Sequence, residues 1–173
     1  MVSCSTKNSG CNGGAFQNAW NYLKTSPQEL NSDYPYTSGA GVTGTCKYNS
    51  SLGKVATATT AYTNVSTSTY ATVAAMQTAV ALKPNSVAIE ADTSYFQSYT
   101  SGIMSGTACG TSLDHAVVIV GYGTSSTGVA YWTVRNSWGT SWGESGYFQV
   151  QQSEGLGVCG INQDVAYPLT NNS

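Results

Sequence analysis

The sequence predicts an α+β fold, with its helices and strands segregated along the chain. Apolar residues recur at helical spacing in residues 15–24 and in residues 69–82. From His115 onwards the chain consists of short β-branched and aromatic runs that glycine-rich turns separate. No internal repeat or low-complexity linker divides the 173 residues, which are enough for one compact domain or for two small lobes.

Two helices are predicted in the first half of the chain. The first places Phe16 and Trp20 on one face, which is typical of a helix packed on a core. The second can begin at a cap formed by Ser68 or Thr69, and a Lys-Pro pair ends it after Leu82.

Strands are predicted mainly in the second half. Val87 and Ile89 alternate with Ala88 and Glu90, which is the period of a half-buried strand. Residues 95–99 predict a short helical turn between strands. The predicted strands are residues 54–64, 86–91, 115–122, 129–135, 146–151 and 164–167.

The composition excludes several classes of function. The formal net charge is −2 and 8% of the residues are charged, so the chain has no basic surface for nucleic acid and no polybasic patch for a membrane. No apolar run reaches the roughly 18 residues of a membrane span, and the first residues lack the features of a signal peptide. One histidine and no C-x-x-C pair argue against a zinc site, and no cofactor is expected.

In an oxidising compartment, the five cysteines would form two disulfide bridges and leave one thiol. They are Cys4, Cys11, Cys46, Cys109 and Cys159. Asn-x-Ser sequons begin at Asn49, Asn64 and Asn171, and each could carry a glycan in a secreted protein. In a chain rich in Asn and Ser, chance is the competing explanation for all three.

The candidate site is built around His115, the only histidine of the chain, at the first position of a predicted strand. An imidazole titrates near neutral pH and suits proton transfer, although a lone histidine on a strand also fits a structural role. Asn136 follows another strand, and its amide can accept an imidazole N–H and so select the tautomer. Trp138 can cover that hydrogen bond and exclude water, which strengthens it. Alternatively, this second segment is a strand-ending turn with a packing tryptophan.

Several short motifs occur in an order that is typical of one family. They are Cys11-Asn12-Gly13-Gly14, Leu113-Asp114-His115-Ala116, Gly121-Tyr122-Gly123, Asn136-Ser137-Trp138-Gly139, Trp142-Gly143-Glu144, Gly146-Tyr147 and Cys159-Gly160-Ile161, followed by Tyr167-Pro168. From Cys4 to Pro168 the chain resembles the papain-like cysteine peptidases of the cathepsin L-like kind. The resemblance implies a helical lobe, to which residues 1–62 would belong, and an antiparallel β-barrel lobe of residues 63–173, with a peptide-binding cleft between them.

The resemblance implies a role for each residue of the candidate site. His115 would act as catalytic base and acid, Asn136 would orient it, and Trp138 would cover the pair. Gly13 and Gly14 would bind the substrate backbone in an extended, β-like contact.

The resemblance also implies a pocket for the second substrate residue before the cut. Its walls would be Ala15, Phe16, Ala88, Leu113 and Ala116. The backbone carbonyl of Asp114 would bind the substrate backbone beside it. Asp164 would form the floor, where a carboxylate would add tolerance for Arg to a preference for bulky apolar residues. The alternative is that Asp164 is an ordinary solvated carboxylate.

The family's catalytic cysteine does not occur within these residues. Its C-G-[SA]-C-[WY] signature is missing from the sequence, and the family's spacing puts it roughly 15–35 residues before the first residue given. The glutamine of the family's oxyanion hole would lie there too. By resemblance, Cys4 pairs with Cys46 and Cys109 pairs with Cys159. Cys11 would then pair with a cysteine of that upstream segment.

The expected function is hydrolysis of peptide bonds at a Cys-His-Asn site. This chain would be one part of the peptidase, and it would be inactive by itself because it lacks the nucleophilic cysteine. The expected partners are a peptide or protein substrate and an upstream segment or propeptide, in the lysosome or vacuole or outside the cell. No His-rich occluding insertion is seen, which favours an endopeptidase. The alternative is a catalytically inactive papain-like homologue with a binding or structural role. An unrelated carbohydrate-binding domain would suit the tyrosine-rich composition but does not explain the ordered motifs.

Overall fold

The computed structural model describes residues 1–52, 59–66, 69–107 and 109–170. The chain divides into two compact units. Unit 1 comprises Met1–Thr63 together with the C-terminal residues from Pro168, and unit 2 comprises Asn64–Tyr167. The assignment of residues 1–62 and 63–173 to two family lobes stays a prediction.

The elements confirm the predicted α+β class, because short helices and a large sheet make up the described chain. None of the described helices is long and apolar enough to cross a membrane. The helices are α1 (Phe16–Leu23), α2 (Val73–Leu82) and α3 (Ser94–Gln97), with 3-10 turns at Gly10–Asn12 and Val158–Gly160. The strands are β1 (Thr59–Asn64), β2 (Asn85–Ile89), β3 (Ile103–Met104), β4 (His115–Thr124), β5 (Ala130–Arg135), β6 (Tyr147–Gln151) and β7 (Val165–Thr170).

Helix α2 begins later than the sequence suggested. Thr72 is its N-cap, and the Thr72 hydroxyl accepts a hydrogen bond from the backbone N–H of Ala75 at 3.2 Å. A cap oxygen must reach the second or third helical N–H, which Thr72 does for this helix. The prediction of a cap at Thr69 is therefore wrong, and Ser68 lies outside the described residues.

The seven strands form one sheet in the order β1-β7-β2-β4-β5-β6-β3. The ladders of β2 with β4 and β7, and of β5 with β4 and β6, are antiparallel. Strand β3 pairs with β6 in parallel, so the sheet is mixed at that edge. The order is linear, and no ladder within the described residues joins β1 to β3, so the sheet they form is open.

The hydrophobic core of unit 2 lies on one face of this sheet. Val87 is directly opposite Val117 on β4 and Val165 on β7, and all three are buried. Helix α2 contributes Met76 and Val80 to the same cluster. The core therefore packs against β4 at Val117 and Ile119 and against β5 at Trp132 and Val134. These two strands carry the candidate site.

Two disulfides are present, and they join the pairs that the resemblance implies. Cys4 is bonded to Cys46 with a Cα–Cα distance of 4.8 Å, and Cys109 is bonded to Cys159 with a Cα–Cα distance of 5.0 Å. Cys11 is free and exposed. One bridge thus lies in unit 1 and the other in unit 2.

Candidate active site

His115 and Asn136 stand on neighbouring antiparallel strands. His115 is the first residue of β4, and Asn136 directly follows β5. Alternate residues of a strand point to the same face, so His115 shares a face with Val117 and Asn136 shares one with Val134. Both valines are buried in the core. The register of the two strands therefore brings both polar side chains to the core-facing side at one end of the ladder.

A hydrogen bond joins the two side chains. His115 Nε2 lies 2.9 Å from Asn136 Oδ1, and the backbone N–H of Ser137 donates to the same oxygen at 2.7 Å. An amide nitrogen could not accept from Ser137, so the atom facing the imidazole is the oxygen. The Nε2 of His115 therefore carries the proton and donates it. In the neutral imidazole Nδ1 is then the acceptor, which is the state required of a base.

The indole of Trp138 lies against the imidazole of His115. Its ring centre is 5.1 Å from that of His115, with the planes inclined by 31°. Phe96 and Trp142 meet Trp138 edge to face at 5.4 Å and 5.2 Å. The Trp142 Nε1–H donates to the Gln97 carbonyl at 3.0 Å, which ties the aromatic group to helix α3. The imidazole is thus held at one nitrogen and shielded on one face, an arrangement suited to proton transfer at Nδ1.

The loop after β5 folds back on itself and anchors the backbone of Asn136. The backbone N–H of Asn136 donates to the carbonyl of Gly146 at 2.9 Å. Gly143 has φ +56°, and a Cβ there would lie 2.5 Å from the Tyr147 carbonyl oxygen. Only glycine fits at this position. The Trp-Gly-Glu motif is therefore explained by a tight return of the loop.

The sequence did not predict two contributions to the site, the carboxylate bonds of Asp114 and the ring of Phe96. The Asp114 carboxylate accepts backbone hydrogen bonds from Ala91 at 2.8 Å and Asp92 at 3.2 Å, and the Asp114 N–H donates to the Ile89 carbonyl at 2.9 Å. These bonds lock the residue before His115 onto the end of β2. Phe96 is the second. The sequence predicted a short helical turn over residues 95–99, and the structure has α3 there, but the pattern assigned no role to the Phe96 side chain.

Three of the predicted pocket residues of unit 2, Ala88, Ala116 and Asp164, lie side by side. Ala88 is directly opposite Ala116, and its N–H donates to the Asp164 carbonyl at 3.1 Å. By strand alternation Ala88 and Ala116 lie on the face opposite the core. Leu113 is 38% exposed and lies against Gly160, and Asp164 is half-buried. The pocket role of these four residues stays a prediction.

The predicted substrate-binding residues of unit 1 form a short exposed segment before α1. Gly13, Gly14 and Ala15 are exposed, and Phe16 is the first residue of the helix. The Asn8 Oδ1 accepts the Ala15 N–H at 2.9 Å, and a side chain at Gly14 would overlap this amide. Gly14 is thus required by its contact with Asn8, independently of any binding of substrate by its backbone.

The family follows from comparison with known proteins. The model of the papain family of cysteine proteases matches residues 1–169. The chain therefore belongs to the papain family of cysteine proteases. It is 41% identical to cysteine endopeptidase Rep1 of Oryza sativa subsp. japonica, over 98% of this chain and 45% of that protein. It is 45% identical to cysteine proteinase RD21A of Arabidopsis thaliana, over 99% of this chain and 36% of that protein, so it spans less than half of each relative.

Solved structures share the fold. The bromelain protease from Ananas comosus in complex with the E64 inhibitor has a TM-score of 0.86 and 36% identity, covering 98% of this chain and 75% of that one. The proform of the ragweed pollen allergen Amb a 11 has a TM-score of 0.84 and 32% identity, covering 99% of this chain and 51% of that one.

Proposed function

We propose that the full protein is a cysteine endopeptidase in which His115 is the general base and acid. The observation that carries the proposal is the hydrogen bond from His115 Nε2 to Asn136 Oδ1, because it leaves Nδ1 as the acceptor. The nucleophile is a cysteine supplied by a segment that precedes these residues. Family membership and relatives such as the rice cysteine endopeptidase support this proposal.

In the proposed reaction, His115 Nδ1 takes the proton of the cysteine thiol, and the thiolate attacks the substrate carbonyl carbon. The imidazolium then gives this proton to the leaving amine, and the acyl-enzyme forms. In the second half, His115 takes a proton from water, and the hydroxide attacks the acyl carbon. The bond from that carbon to the cysteine sulfur then breaks, the acid leaves, and the imidazolium returns its proton to the thiolate. Asn136 keeps the ring in one tautomer throughout, and Trp138 limits water access to their hydrogen bond.

Substrate contacts are proposed for each unit by itself. In unit 1, the backbone groups of Gly13 and Gly14 bind an extended substrate backbone. In unit 2, the Asp114 carbonyl binds substrate backbone, and Ala88, Leu113 and Ala116 are walls of the pocket for the second residue before the cut. Asp164 is its floor, and its carboxylate gives tolerance for Arg beside a preference for apolar residues.

The proposed location is the lysosome or vacuole, or the extracellular space. The two disulfides support an oxidising compartment. The proposed partners are peptide or protein substrates and, before activation, a propeptide, as in the Amb a 11 proform.

The test is peptide hydrolysis by the full-length protein with its upstream segment. His115→Ala should abolish cleavage, and Asn136→Ala should lower kcat about 100- to 10,000-fold with little change in KM, because orientation of the base is lost. Ser137→Ala is the matched control, since it keeps the backbone N–H that holds Asn136, and it should remain active. E64, the inhibitor in the bromelain complex, should block the wild type. If the full-length protein neither cleaves peptides nor reacts with E64, the alternative of an inactive binding homologue is correct.

The pocket floor has a separate test. Fluorogenic Phe-Arg and Arg-Arg peptides are compared on the full-length enzyme and on Asp164→Ala. The ratio of the Arg-Arg rate to the Phe-Arg rate should fall in the variant, because the carboxylate that pairs with Arg is lost. An unchanged ratio would mean that Asp164 is not the floor of the pocket.

A further inference from the structure

The sequon at Asn49 lies in an exposed, preformed turn. Asn49, Ser50 and Ser51 are all exposed. The Asn49 Oδ1 accepts the N–H of Ser51 at 2.9 Å, and the Asn49 carbonyl accepts the N–H of Leu52 at 3.2 Å. An Asn side chain bonded to the backbone two residues on forms an Asx turn. The acceptor Asn and the serine that completes the sequon are thus presented together at the surface of unit 1.

The turn is anchored through its backbone. Glu29 is only 4% exposed, and its Oε1 accepts the N–H of Asn49 at 3.0 Å. This bond holds the main chain of the turn from beneath while the Asn49 side chain lies on the outer surface. A bulky group on that side chain would therefore not break the anchoring contact.

The sequon at Asn64 differs in its serine. Asn64 is exposed, but Ser66 is half-buried. The Ser66 hydroxyl donates to the Asn162 carbonyl at 3.1 Å and accepts the Val165 N–H at 3.1 Å. In the folded chain this hydroxyl belongs to the pairing with β7, unlike the exposed Ser51. The sequon at Asn171 lies outside the described residues.

Two general features agree with a glycoprotein. The disulfides indicate an oxidising compartment, and N-linked glycans are added in the same secretory route. Charged residues make up 8% of the chain, against about 25% in a typical soluble domain. A surface so poor in charge gains solubility from a hydrated glycan.

From these observations we propose that Asn49 is a site of N-linked glycosylation. The donor is an oligosaccharide linked to a lipid diphosphate. The Asn49 Nδ2 forms a bond to the anomeric carbon of the first sugar as the bond from that carbon to the diphosphate oxygen breaks. The lipid diphosphate leaves with the bonding electrons, and the amide proton passes to a base of the transferring enzyme.

The experiment uses the full-length protein secreted from a eukaryotic host. Trypsin cuts after Lys47 and Lys54, so Asn49 is isolated in the peptide 48–54, apart from the other two sequons. Release of glycans by peptide N-glycosidase in heavy-oxygen water converts each glycosylated Asn to a labelled Asp. We expect peptide 48–54 to carry the label. Recovery of this peptide unlabelled and with an intact Asn from the secreted protein would overturn the proposal.

Matched variants separate the sequon from the turn. Ser51→Ala should abolish the label in peptide 48–54, because the sequon hydroxyl is lost while the backbone N–H of the turn remains. Ser51→Thr and Ser50→Ala both keep the sequon, so both should keep the label. Label that persists in Ser51→Ala, or is lost in Ser50→Ala, would contradict modification through this sequon. The readout is independent of peptidase activity, so it does not depend on the proposed function.

Discussion

Unit 1 and unit 2 are stabilised by different means. Among the described residues of unit 1, Trp20 is the one buried hydrophobic side chain, and the buried polar residues there are Ser5, Glu29 and Ser38. Unit 2 buries one continuous apolar cluster, whose largest fully buried side chain is Trp132. Unit 1 is thus rich in loops and is held by one disulfide and by hydrogen bonds, whereas the sheet of unit 2 is held by apolar packing.

The difference shows why the candidate catalytic residues are on the sheet. A base must keep its geometry within fractions of an ångström, which requires a support whose side chains are locked by packing. His115 and Asn136 have such a support in the core beneath β4 and β5. The proposed substrate contacts of unit 1, at Gly13 and Gly14, would instead use backbone groups, and an extended segment is sufficient to present these.

The largest expected effect is loss of core packing in unit 2. Phe148 is 1% exposed and contacts the rings of Phe96, Tyr99 and Trp142. Phe148→Ala should lower the free energy of unfolding of the full-length protein by about 3–5 kcal/mol in urea titrations. Its neighbour Tyr147 is 37% exposed, and Tyr147→Ala is the control. Equal losses in the two variants would contradict stabilisation by packing.

A somewhat smaller effect is expected from the bridge of unit 1. Replacing Cys4 and Cys46 together by Ser should lower the free energy of unfolding by about 2–4 kcal/mol. The bridge joins residues 42 positions apart, and without it the unfolded chain gains conformational entropy. Cys46 is exposed, whereas Cys109 and Cys159 are 0% and 2% exposed. Under mild reductant the unit 1 bridge should therefore open first, measured by alkylation and mass spectrometry. Earlier alkylation of Cys109 and Cys159 would reverse the comparison.

A local effect is expected at the N-terminus of α2. Thr72→Ala should lower the free energy of unfolding by about 1 kcal/mol, because the N–H of Ala75 loses its partner. Thr72→Ser keeps the hydroxyl and should restore most of the loss, while Thr69→Ala should have little effect. A larger loss at Thr69 than at Thr72 in urea titrations would mean that the cap is assigned to the wrong residue.

The smallest effect at neutral pH concerns Tyr99. Burial raises the pKa of its hydroxyl from 10.0 to about 12, and the hydroxyl donates to the Gly102 carbonyl at 2.8 Å. Below pH 10 the Tyr99 hydroxyl is protonated in both the folded and the unfolded chain, so its contribution to the free energy of unfolding has its full value. Between pH 10 and about 12 the unfolded state ionises first, so the stability should fall across that window. Tyr99→Phe should remove this part of the pH dependence, and an unchanged slope would assign it to other groups.

Much of the fold could be read from local patterns. The strand beginning at His115 and the helix beginning near Phe16 follow from periodicity, which depends only on neighbours in the sequence. The start of α2 could not be read in this way, because the local sequence favoured Ser68 or Thr69 as the cap and did not exclude a later start. The structure places the cap at Thr72.

The sequence by itself determined which residues of the candidate site are of the right chemical type, and the ordered motifs determined their family. The tertiary structure alone decided which atoms meet. It set the Asn136 oxygen rather than its nitrogen against His115, put Phe96 beside Trp138, and joined the Asp114 carboxylate to the end of β2. The physical reason is that these contacts link residues 20 or more positions apart, and their geometry follows from strand register and core packing, which no local spacing encodes.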